Sequence, residues 1–71
     1  KIFKKYEAAG DVNNITAGIA SLYMGRSMFE ENHIDWALEY AQRARIIFQN
    51  VGSHENVKDA DELIGDIQRN L

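Results

Sequence analysis

His33 and His54 are the side chains best suited to proton transfer or metal ligation, and neither has the company that such chemistry needs. The chain contains no cysteine, and two histidines without a fixed short spacing are a weak zinc signal. His33 with Glu31 or Asp35 makes an acid–base pair on paper. Charged residues beside a turn are also ordinary capping groups, and no nucleophile or glycine-rich phosphate loop accompanies them. The expectation is a chain with no catalytic residue, no metal site and no cofactor, and hence not an enzyme. Two other residues point to recognition. Arg26 is the one cation on an otherwise apolar stretch and can hold a carboxylate through paired N–H groups; the alternative is a bridge to Glu30 or to an acid of the last helix. Trp36, the single tryptophan, either anchors a partner, or covers the end of a hairpin or packs on an adjacent unit of the chain.

Charge narrows the partners. Eight Lys and Arg against eleven Asp and Glu leave a formal net charge of -3, and binding to a phosphate backbone draws instead on clustered cations. A helix-turn-helix reader also wants a basic recognition helix, whereas the last segment carries Glu55, Asp59, Asp61, Glu62 and Asp66 against Lys58 and Arg69. No nucleic-acid partner is expected. Lys1, Lys4 and Lys5 make the start basic, so ends of opposite sign either favour head-to-tail contacts between copies or are solvated faces. No apolar run is long enough for a bilayer and no signal-peptide core is visible, so no membrane partner and a cytoplasmic location are expected. Lys1 is not an initiator methionine, which reads as a fragment or processed piece.

Seventy-one residues make one small domain, and the elements that must position these side chains are helices. Proline is absent and no alternating β-branched run occurs. Lys1 to Ala9, with Ile2, Phe3 and Tyr6 on one side, reads as the last turns of a helix ended by Gly10. Asp11, Asn13 or Asn14 then caps a helix from about Val12 to Glu31. Its apolar residues, Ile15, Ile19, Leu22, Tyr23, Met24, Met28 and Phe29, spread around the circumference, so it should pack on two sides. A turn at Asn32-His33 leads to a one-sided helix from about Ile34 to Asn50, with Ala37, Ala41 and Ala44 facing small residues such as Ala20 and Gly25. Glu39 and Arg43 on its wet side are spaced for an i, i+4 pair. Gly52 ends it, Ser53 is a ready N-cap, and a last helix from about Glu55 to Asn70 has one thin apolar stripe backed by charge.

The chain also repeats itself. Tyr6-Glu7-Ala8-Ala9-Gly10-Asp11 parallels Phe48-Gln49-Asn50-Val51-Gly52-Ser53, and Leu22-Tyr23-Met24-Gly25-Arg26 parallels Glu62-Leu63-Ile64-Gly65-Asp66, an offset of about forty residues. With Gly25 as the small residue of a first helix, Met24 and Met28 at large apolar positions, Ala37 and Ala44 at the alanines of a second helix, and Asp35-Trp36-Ala37-Leu38-Glu39-Tyr40 at its start, the chain resembles a tetratricopeptide repeat. Ser21 and Ala41 depart from large-apolar and aromatic positions. Gln49 stands where a closing proline is usual, which is similar to the long-linker repeats of kinesin light chains and peptide-sensing bacterial regulators.

The resemblance implies an all-α antiparallel helix-hairpin array of about four helices in a single domain 1–71. Residues 1–10 would end a preceding repeat, 11–51 form a full hairpin and 53–71 form a following or capping helix. It implies a non-catalytic scaffold that binds a protein or peptide ligand in a groove lined by first helices. Carried over, the groove positions are Ile19, Leu22, Arg26, Phe29 and Glu30 on one helix and Asp59, Glu62, Asp66 and Arg69 on the next. For Leu22 and Phe29 core packing is the alternative. The chaperone-tail form of the family clamps a terminal carboxylate with lysine and asparagine, and Leu22 and Arg26 stand at those places, so that form is not expected. Alternatives to ligand binding are a structural solenoid segment, a module forming a homodimer through exposed helix faces, and a regulatory domain of a larger protein.

Overall fold

Asn14 caps the first of the described helices. In a computed structural model, which describes residues 14–71, its side-chain Oδ1 accepts the Thr16 backbone N–H at 2.9 Å and starts helix α1, Ile15–Glu30. Helix α2 spans Ile34–Val51 and α3 spans His54–Arg69. The described residues are all helix and turn, and the expected helix at Lys1 to Ala9 lies outside them.

Both interhelical turns close by the same device. After α1, the Asn32 N–H donates to Phe29 O at 3.0 Å and the His33 N–H to Met28 O at 2.7 Å, while Asn32 takes the left-handed conformation at φ 71. After α2, the Gly52 N–H donates to Gln49 O at 3.2 Å and the Ser53 N–H to Phe48 O at 2.9 Å, with Gly52 at φ 76. This pair of bonds around one left-handed residue satisfies carbonyls that the helix end leaves free. Glycine suits that conformation at no steric cost, and asparagine tolerates it. Ser53 stands at the start of α3 as expected, but its hydroxyl accepts from Asn56 Nδ2 at 2.7 Å rather than from a backbone N–H.

Small residues set how the helices meet. A Cβ built on Gly25 would lie 3.3 Å from Ala37 O, Ala41 N and Leu63 Cδ2, so the α1 backbone rests directly on the α2 backbone and on a side chain of α3. A Cβ on Gly18 would lie 2.7 Å from Phe48 Cε1 and 3.0 Å from Ile47 Cγ2. Contacts that climb α1 while descending α2 make the two helices an antiparallel hairpin. Ala37, Ala41, Ala44 and Phe48 are wholly buried in it. The close-packing residues of α1 are therefore Gly18 and Gly25; Ala20, expected there, is exposed on another side.

α3 completes the core with Ala60, Leu63 and Ile67, and lies along α2, where Arg45 Nε donates to Asp61 Oδ1 at 2.5 Å. Val57 and Ile64 pack on the edge of the same cluster. The apolar side of α3 is one stripe, whereas α1 buries Gly18, Leu22 and Gly25 yet leaves Ile15, Ile19, Tyr23 and Met24 at least 40% exposed.

Candidate functional site: the Arg26 side of α1

Helical geometry sorts the α1 residues into three strips. The central strip, Gly18, Leu22, Gly25 and Phe29, faces the core; Leu22 is 8% exposed and Phe29 packs half-buried against the cluster. Of the alternatives for these two residues, core packing accounts for Leu22 directly. Ile19, Arg26 and Glu30 fall on one flank of that strip and are exposed. Ser21 and Met28 fall on the other flank.

Next to the Arg26 flank lies α3. Leu63 touches the Gly25 contact, and Asp59 and Asp66, four before and three after Leu63, share its side of α3. The expected groove residues are thus divided between two neighbouring helices, with Asp59, Glu62, Asp66 and Arg69 all exposed. Arg69 is committed locally, since its guanidinium donates to Asp66. Arg26 is different: among the described residues no carboxylate pairs with it, neither Glu30 nor an acid of α3. The Arg26 guanidinium offers five donors on the same flank of α1 as Ile19, which is 40% exposed, and that combination suits a planar anionic group on a partly apolar ligand.

The remaining sequence candidates are placed as follows. His33 Nε2 lies 3.8 Å from Glu31 Oε1 with both side chains more than half exposed, a loose pair at the turn, and His54 begins α3. Among the described residues no group of three or more His, Asp or Glu side chains is arranged to hold a metal ion. Glu39 and Arg43 make their i, i+4 pair at 4.0 Å. Trp36, 56% exposed, sets its ring 6.4 Å from that of Tyr40 at a 33° tilt, and the two border a shallow hollow of about 340 Å³ with Met28 and His33. A larger cleft of about 590 Å³ runs between α1 and α2, bordered by Ala17, Ala20 and Ser21 on α1 and by the polar Glu39, Gln42 and Arg43 together with Ile46 and Ile47 on α2. Both hollows lie on the Ser21 and Met28 flank, away from Arg26. Sequence reasoning did not find the cleft; the signal was Ala17, Ala20 and Ser21 opposite Ile46 and Ile47, small residues facing large ones.

Among the described residues no helix is long and apolar enough to cross a membrane. Comparison of the chain with protein-family models, with curated proteins and with solved structures found no match.

Proposed function

We propose that the chain is a tetratricopeptide-like hairpin with a following helix, acting as a non-catalytic module that binds a protein or peptide ligand along the Ile19, Arg26 and Glu30 flank of α1 and the acidic side of α3. The observation that carries the reading is Arg26, which has no ion-pair partner among the described residues beside exposed apolar surface. A side chain with the most donors of any residue is left for something outside the hairpin. The ligand that fits is a segment with one carboxylate for Arg26, apolar residues for Ile19, and a basic residue for Asp59 or Glu62. The close approach of Gly25 to Ala37 and Ala41 supports the repeat assignment, since it is the small-on-small contact which that family would place there.

Selection of displayed random peptides on the 71-residue chain tests this. Peptides carrying a carboxylate near apolar residues should be enriched. Arg26→Ala should keep the helix content and lower their affinity about tenfold, the scale of a lost charge-assisted hydrogen bond. Absence of enrichment, or equal affinity for the Arg26→Ala chain, would refute the assignment.

A further inference from the structure

The four residues around the smaller hollow are of one chemical kind. Met28, His33, Trp36 and Tyr40 offer a thioether and three π systems, and among the described residues no cation borders the space of about 340 Å³ that they share. Local structure fixes them in place. Trp36 and Tyr40 stand one turn apart on a single face of α2, and the bond from the His33 N–H to Met28 O at 2.7 Å draws the end of α1 beside that face. The two rings, 6.4 Å apart at a 33° tilt, already pair with one another, so a ligand enters beside them and not between them. Among the described residues neither ring is part of the core cluster, and Trp36 keeps more than half of its surface open.

Charge selects the occupant. Glu31 Oε1 lies 3.8 Å from His33 Nε2, which sets a carboxylate near the rim, and Asp35 stands in the first turn of α2 next to Trp36. Arg43, one turn beyond Tyr40, is turned to Glu39 at 4.0 Å. Aromatic rings with carboxylates nearby attract a cation, because the face of each ring carries the negative end of its quadrupole. A bare ammonium is strongly hydrated and gains little from so shallow a site. An ammonium clad in methyl groups sheds water more readily and also lays apolar surface on the rings and on the adaptable Met28 side chain. We propose that this hollow binds a methylated ammonium group, of the kind carried by choline or by trimethyllysine. It lies on the flank away from Arg26, and the inference stands whether or not that flank binds a ligand.

Trp36 is the single tryptophan of the chain, so its emission reports on the site. Titration of the 71-residue chain with choline at constant ionic strength should give a saturable change in emission with a Kd in the millimolar range. The uncharged isostere of choline, with carbon in place of the nitrogen, should bind about fivefold more weakly. Trimethyllysine amide is the second arm: binding tighter than that of choline assigns the group to a protein side chain, and weaker binding assigns it to a small molecule. Tyr40→Leu, which keeps apolar bulk and removes a π face, should retain the helix content and weaken choline about fivefold, and Glu31→Gln about twofold. Equal binding of choline and its isostere would make the hollow a merely apolar recess and overturn the proposal. So would the lack of a saturable response to both choline and trimethyllysine amide, and neither result requires a variant to fold.

Discussion

Gly18 and Phe48 are in contact so close that no side chain fits between them: a Cβ on Gly18 would lie 2.7 Å from the edge of a ring that is 0% exposed. Alanine is the better helix former by about 1 kcal/mol, but overpacking a filled site costs about 1–3 kcal/mol, and a fully buried ring has nowhere to retreat. Gly18→Ala is therefore expected to destabilise the chain by about 1 kcal/mol net despite its helix propensity. Urea unfolding checks this, and in Gly18→Ala with Phe48→Leu the loss should be smaller than the sum of the single losses, because the shorter side chain vacates the contested space.

The repeat-related glycines Gly25 and Gly65 should respond in opposite directions. Around Gly25 two of the three nearest atoms are α2 backbone, which cannot rotate aside, so Gly25→Leu should cost about 3 kcal/mol or prevent folding. Around Gly65 the nearest atom to a new Cβ is Arg69 Nη1 at 3.8 Å, an ordinary contact. Gly65→Ala should accordingly stabilise α3 by about 0.5–1 kcal/mol, read as a raised thermal midpoint. A loss at Gly65 equal to the loss at Gly25 would mean that Gly65 too is pressed against a neighbour.

At the two turns, Gly52→Ala should cost about 1–2 kcal/mol, since its φ of 76 puts a Cβ against the following carbonyl while the space around it is empty. Asn32→Gly at φ 71 should be neutral or slightly stabilising, and Asn32→Val clearly worse than Asn32→Ala. Chemical denaturation of the four variants separates backbone strain from packing, because no packing contact is removed at Gly52.

Arg45 and Asp61 join α2 to α3, with side chains 41% and 51% exposed. Solvent screening at that exposure holds the coupling to about 1 kcal/mol or less. A double-mutant cycle with Arg45→Ala and Asp61→Ala should show it at low salt and lose most of it at 1 M salt, where the screening length falls to about 3 Å.

The helices, their two breaks and the alanine face of α2 were legible in the sequence because each rests on local chemistry: a 3.6-residue period, a cap or a glycine. The observed α2 and α3 begin and end within a residue of the expected bounds. Asn14 was one of three candidates for the first cap, and only the bond to Thr16 selects it. What pattern did not disclose was depth. Small residues at Gly18 and Ala20 look alike on a helix apolar all round, and only the position of α2 sends Gly18 inside and Ala20 out. Leu22 carried the same ambiguity and lies in the core, while the absence of a described partner for Arg26 required all three helices in place. The cross-helix pair of Arg45 and Asp61, sixteen residues apart, belongs to the same class of facts.

Ala37, Ala41 and Ala44, all at 0% exposure, have a consequence for how such a chain changes over generations. Methyl groups packed backbone to backbone cannot grow without prising two rods apart, and shrinking them to glycine weakens the helix that bears them, so drift at these sites is blocked from above and below. The outward positions carry no such restraint. Descendants of one ancestor would then share three alanines and two glycines while losing nearly every other letter in common.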